Sequence, residues 1–246
     1  MVHCTISSMN TLAKKRASLS LGLIAVASLS LTACGGPPSV SEVKADAVEH
    51  FQNAESARVD VEGTSSEELD FGFGDVTGYF EGFSETGDMR GELKSEEHGF
   101  TVEMLVVDNS TYIKGDDNFW NYFDSTGMVA STLDTSKWID TGTVDEQDFS
   151  AFTEDFRETL ESMPDEDVAV EEAELDGEEA YKYSGEDTEG EPIDLYFNTD
   201  NQVIRGESQA EGGETTMDFS AYGEVGEITA PDADEILDIP GAPGSF

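Results

Sequence analysis

From position 41 onward the chain carries two hydrophobic periods, and their order predicts helix, strands, helix, strands. Val43, Ala47, Phe51 and Ala54 recur at i, i+4, i+8 and i+11. That spacing gives one apolar face to a helix over Ser41 to Ala57. Ser41 is its expected N-cap, with Glu42 in the first turn. Then the period shortens: Ala57, Val59 and Val61 alternate with Arg58, Asp60 and Glu62, as in a half-buried strand. Phe71 and Phe73 alternate with Gly72 and Gly74, and Tyr79, Phe80 and Phe83 follow. Val102, Met104 and Val106 share one strand face, with Leu105 and Val107 on the other; Asp108-Asn109-Ser110 is a turn, and Thr111 to Lys114 starts the next strand.

The middle is mixed. Asp117-Asn118-Phe119-Trp120 and Lys137-Trp138-Ile139 bracket a polar stretch containing Met128 and Leu133. The clearest helix follows over Asp148 to Met163, where Phe149, Phe152, Phe156, Leu160 and Met163 form one stripe before Pro164 ends it. Five further strands are expected at Val168 to Leu175, Ala180 to Ser184, Ile193 to Asn198, Val203 to Ser208 and Thr215 to Tyr222. Asn198-Thr199-Asp200-Asn201 is a hairpin turn. Asp232 to Leu237 reads as one helical turn, and residues 239–246 as a loose tail. This order predicts an α+β fold, with one antiparallel sheet and helices gathered on one face. Glycines at 72, 74, 78, 82, 87 and 91 are what a strongly curved sheet needs.

The first 33 residues have a different character. Lys14, Lys15 and Arg16 precede an apolar run from Leu19 to Leu31. A basic stretch followed by a short apolar run is the pattern of an export signal. The run is about a dozen residues, below the ~20 that span a bilayer. Leu31-Thr32-Ala33-Cys34-Gly35 resembles the lipobox of bacterial lipoproteins, which are cut before the cysteine after it has received diacylglycerol. Met9 would serve as a start as well as Met1. The expected organisation is a signal at 1–33, an acylated Cys34 with a flexible tether to 42, one domain over 43–238, and the tail. Cys34 is then the only cysteine, so no disulfide forms within the mature chain. Two acyl chains hold a protein stably on a membrane where one does not, which places the protein outside the cytoplasm on the outer face of the cell membrane.

Charge excludes several partners. The chain has 55 acidic and 12 basic residues, a formal charge of −43. Without the three cations of the signal the mature part has nine against 55, or −46. Nine scattered cations assemble no basic patch, which argues against nucleic acid. Repulsion of this size destabilises a compact state at low salt and is screened within ~3 Å at 1 M. Adaptation to high salt is therefore expected, with a melting temperature that rises with ionic strength; a flat response between dilute buffer and molar salt would count against it and favour the alternative, an acidic extracellular surface kept for solubility. Fourteen Phe, seven Tyr and two Trp in periodic segments favour a folded domain over an acidic disordered tail.

Catalytic patterns are poor. His50 and His98 have no ligand partner at helical spacing, and no nucleophile-elbow, P-loop or dinucleotide motif is present. The acidic runs at Asp165-Glu166-Asp167 and Glu186-Asp187 lack EF-hand spacing. No enzyme activity, metal or cofactor is expected.

Several stretches taken in order resemble the actinobacterial envelope lipoproteins of the LppX/LprG type, which share the half-barrel of the periplasmic carrier LolA. They are Val106-Val107-Asp108-Asn109-Ser110-Thr111-Tyr112-Ile113-Lys114-Gly115, Lys137-Trp138-Ile139, and Leu175-Asp176-Gly177 through Tyr181-Lys182-Tyr183-Ser184-Gly185. The last is Met217-Asp218-Phe219-Ser220-Ala221-Tyr222-Gly223-Glu224 with Ile228-Thr229-Ala230-Pro231. The resemblance implies an unclosed, LolA-like half-barrel whose concave face is covered by helices over an apolar cavity. It also implies a lipid or glycolipid ligand, a role in lipid transfer, and a monomer. The expected lining is Phe71, Phe73, Met104, Tyr112 and Trp120 from the sheet side, with Phe152, Phe156 and Leu160 from the covering helix. The alternative is a non-catalytic interaction or sensory module of the cell envelope, with a filled core and a protein partner.

Overall fold

The computed structural model describes residues 37–65, 74–123, 133–143, 149–165, 168–186, 190–210 and 213–237. The chain divides into two units, Met1–Gly35 and Gly36–Phe246, and all described residues lie in the second. Cys34, Phe71 and Phe73 lie outside them.

Helix α1 spans Val40–Asn53 and buries the expected stripe of Val43, Ala47 and Phe51, joined by Val40. Its N-cap is Ser39 rather than Ser41: the Glu42 amide donates to the Ser39 side chain, which satisfies one of the open amides of the first turn. The helix stops at Asn53, and Ala57, a member of both periodic patterns, belongs to the strand.

Among the described residues eleven strands form one sheet. They are β1 (Ser56–Ser65), β2 (Val76–Phe83), β3 (Met89–Ser95), β4 (Phe100–Val107), β5 (Ser110–Gly115), β6 (Ile139–Gly142), β7 (Ala169–Leu175), β8 (Glu178–Glu186), β9 (Pro192–Asn198), β10 (Val203–Ala210) and β11 (Gly213–Ser220). Their spatial order is β6-β5-β4-β3-β2-β1-β11-β10-β9-β8-β7, every pair antiparallel. Two meanders, β1 to β6 and β7 to β11, thus meet where the first strand pairs with the last. The edges β6 and β7 do not meet, and the sheet is an unclosed half-barrel. Two hairpins turn through paired left-handed residues: Asp108 (φ 51°) with Asn109 (φ 62°), and Asp176 (φ 54°) with Gly177 (φ 88°). Such two-residue turns match the right-handed twist of the strands they join.

Among the described residues two further helices occur: α2 (Asp117–Phe123) within the first meander and α3 (Phe149–Ser162) between the two. The α3 stripe is as the periodicity predicts, whereas α2 and β3 are elements the pattern left unassigned. Residues 232–237 do not form a helix. Trp138 donates its amide to Glu235 and accepts from Leu237, making a parallel bridge opposite Ile236. Backbone groups at the sheet margin next to β6 are thereby satisfied by strand-like pairing.

Candidate functional site

Successive strand residues face opposite sides, so the register assigns a set of residues to the inner face, where α1 and α3 pack. In the β1–β5 half that face has four cross-strand rows. The first is Ala57, Gly82, Met89, Val106 and Thr111; the second is Val59, Phe80, Gly91, Met104 and Ile113, extended by Ile139. The third is Val61, Gly78, Leu93, Val102 and Gly115; the fourth is Gly63, Val76, Ser95 and Phe100.

Phenylalanines close both ends of this surface. Phe149, the first residue of α3, is fully buried against Ala57, Met89 and Val106. It fits because Gly82 lies beneath it: a Cβ there would stand 2.6 Å from the ring. At the other end Phe119 of α2 meets Phe100 edge-on at 5.5 Å, and its ring would stand 2.2 Å from a Cβ on Gly115. The Asp116 carboxylate accepts from the Phe119 amide, and the Trp120 indole donates to the Gly115 carbonyl at 3.0 Å, holding α2 over the strand ends. The first and fourth rows are six residue steps apart along a strand, about 20 Å. The two middle rows carry no charged or hydrogen-bonding side chain. Val61, Phe80, Leu93, Val102, Met104, Ile113 and Ile139 are only half-buried. This is an apolar trough with a Phe at each end.

The other half is packed solid. α1 and α3 run antiparallel, with Phe51 against Phe156 at 5.2 Å and the Lys44 ammonium bound to the Met163 carbonyl. Beneath them Leu160, Tyr183, Leu195 and Phe197 are at most 1% exposed. Phe156 reaches Phe219 at 4.5 Å. The two phenols are satisfied by main-chain acceptors: Tyr183 donates to Pro38 at 2.9 Å and Tyr222 to Val203 at 2.7 Å. Burial pushes the Tyr183 phenol up to about 12 and raises Tyr222 as well. A crevice of ≈600 Å³ between the helices is lined by Phe51, Gln52, Ser150, Glu154 and Arg157 among others. A second of ≈330 Å³ on β9–β11 is polar, with Asp194, Glu207 and Glu214 in its wall.

The outer face collects the cations. One register row runs Lys114, Glu103, Glu92, Tyr79, Asp60, Asp218, Arg205, Tyr196, Lys182, Glu171 across ten strands. Along it Lys114 pairs with Glu103 at 2.9 Å, Arg205 with Asp218 at 2.5 Å, and Arg58 lies 3.9 Å over Tyr79 while bound to Asp60. Glu81, buried between Arg58 and Arg90, bonds to both. Six of the nine cations beyond residue 33 are on this face, and none is in the four rows of the trough.

The expected lining residues are therefore distributed. Met104 is in the trough floor. Phe152 is half-buried and packs against both core clusters. Trp120 braces α2 at the trough end. Phe156 and Leu160 belong to the solid half. Tyr112 pairs with Leu105, so strand parity puts it on the outer face, opposite Met104. Leu93 and Ile113 join the floor beside Val102, which shares the Met104 face as the alternation predicts. The signal for Leu93 was the alternation Met89, Gly91, Leu93 against Arg90, Glu92, Lys94.

Two crystal structures superpose on this arrangement over nearly their full length. One is LprF from Mycobacterium bovis, with TM-score 0.56, 14% identity, and 80% of this chain against 99% of that one. The other is the lipoprotein LppX from Mycobacterium tuberculosis, with TM-score 0.54, 11% identity, and 79% against 100%. The fold is of the LppX type. No protein-family model and no curated protein matches the sequence, so the likeness lies in the LppX-type path of the backbone. Among the described residues no helix is long and apolar enough to cross a membrane.

Proposed function

We propose that this chain is an envelope lipoprotein, anchored through acyl groups on Cys34, that holds a lipid or glycolipid in the trough of β1–β5 and passes it on. The observation that carries this reading is the pair of uncharged, half-buried rows closed at both ends by Phe149 and Phe119, beside a half that is packed solid. Burial of an acyl chain contributes roughly 0.8 kcal/mol per CH₂, so such a surface needs no charged group to bind tightly. The lipobox-like sequence at Cys34 and the LppX-type fold support it.

Native mass spectrometry of the mature domain carrying Cys34→Ser tests this without interference from the anchor. A co-purified lipid is expected, and Ile113→Asp should abolish it while the domain stays folded, because that side chain is already half-exposed. A ligand-free monomer that takes up no added fatty acid would sink the carrier reading.

A second reading, a non-catalytic interaction or sensory module, draws on one observation: Phe149, Phe152, Phe156 and Leu160 of α3 all pack into hydrophobic clusters. It predicts the ligand-free outcome of the same experiment.

A further inference from the structure

The approach to α1 is pinned. Tyr183, fully buried on the inner side of β8, donates to the Pro38 carbonyl at 2.9 Å. Ser39 follows as N-cap, and Val40 is already in the core. One turn later Lys44 binds the Met163 carbonyl and, at 3.2 Å, Asp165. Of the stretch 34–42, the residues from Pro38 on are thus held by the domain, and three residues, Gly35, Gly36 and Pro37, separate Pro38 from Cys34 in sequence. Four residue steps of covalent chain span at most about 14 Å, so Pro38 cannot stand farther than that from Cys34.

The pinned point is at one margin of the sheet. Tyr183 pairs with Val170 of the edge strand β7 and with Leu195 of β9. Met104, in the trough floor, is on β4, seven strand spacings from β8, or about 34 Å along the sheet. We infer that the β7–β8 margin, with the start of α1 and the end of α3, is the surface this domain turns toward a lipid bilayer, and that the trough is held away from it. The inference rests on the reading of Cys34 as acylated. A guest leaving the trough would then meet the space beyond the anchoring bilayer first.

Charge shapes the approach. The margin exposes Glu171, Glu172, Glu174, Glu178, Glu179 and Glu186, while Lys182 is engaged by Asp194 at 2.8 Å. The Debye length is ≈ 30 Å at 0.01 M salt and ≈ 3 Å at 1 M, on either side of the tether's reach. An anionic bilayer should therefore hold the margin off at low salt and admit it at high salt, whereas a neutral one admits it throughout.

The test uses the full lipidated chain in phosphatidylcholine vesicles containing a headgroup quencher. Single cysteines are introduced for a fluorophore at exposed Ala169, on β7 beside Val170, or at exposed Glu96, in the β3–β4 turn. With Cys34 acylated, each label is unique. Ala169→Cys should be quenched at least about twofold more than Glu96→Cys, since β7 and β3 lie seven strand spacings, about 34 Å, apart along the sheet. Tyr183→Phe, which releases Pro38, should narrow that ratio. Equal or reversed quenching on vesicle-bound protein overturns the orientation and leaves the anchor standing, and a ratio unmoved by Tyr183→Phe overturns the pin. Protein that fails to float with vesicles overturns the anchor, and the orientation with it.

Discussion

The two halves of this sheet are built from similar strands, yet they treat their inner face differently. Over β8–β11, with β1, two antiparallel helices bring in large side chains, and Leu160, Tyr183 and Phe197 are fully buried. Among the described residues no helix lies along the inner face of β2–β5. Phe149 and Phe152 at the start of α3 and the short α2 reach its ends, and Leu93, Val102 and Ile113 stay half-buried. The difference does not come from hydrophobicity, since both inner faces are apolar. It comes from where the connections fall: the link from β6 to β7 carries a helix that packs beside α1, and its first turn, with Phe149 and Phe152, reaches the end of the first half. One half supplies stability and the other keeps apolar surface that no described helix buries.

That contrast can be broken by substitution. Leu160→Ala should cost about 2–5 kcal/mol in urea denaturation, the range for a fully buried large-to-small change. A loss under about 1 kcal/mol there would mean that the packed half is not the stabilising one. Gly82→Ala should follow at about 1–3 kcal/mol, because the new Cβ meets the Phe149 ring and overpacking forces one of them to shift. Tyr183→Phe should cost about 1 kcal/mol for the lost bond to Pro38.

The same phenol sharpens the comparison through pH. Tyr183 has an ordinary value of 10.0 and is pushed to about 12 in the folded state. Between these values the native state binds more protons than the unfolded one. The stabilising contribution is therefore complete below pH 10 and is lost as pH rises through 12. A circular-dichroism titration should show stability falling above pH 10, less steeply in Tyr183→Phe. The smallest effect is expected in the open half: Leu93→Ala should change stability by less than about 1 kcal/mol, since only part of its surface leaves water on folding. It should nonetheless weaken lipid retention. A cost matching Leu160→Ala would show that the trough is core.

Much of the fold was legible in the residues. The α3 stripe, the alternation of β1 and β4 and the hairpin residues Asp108-Asn109 and Asp176-Gly177 each carry a local physical signal, so their elements follow from period and turn chemistry alone. Where local signals end, the reading slips. Ser39 and Ser41 are equally good caps by residue type, and Pro38's bond to Tyr183, 145 positions away in sequence, accompanies the choice of the first. Residues 232–237 have helical composition but answer to Trp138 of another segment. Tyr112 and Met104 are both expected in the lining, and only the pairing of Tyr112 with Leu105 puts it on the opposite side.

By itself, then, the sequence determined the alternation of helices and strands, the acidic surface and a lipobox-like Cys34, since each depends on neighbours a few residues apart. Tertiary structure alone decided that β1 pairs with β11 and that α3 covers one half and only caps the other. It also decided that the cations gather on the outer face. Those outcomes depend on strand register and on packing between residues more than a hundred positions apart, which no local pattern encodes.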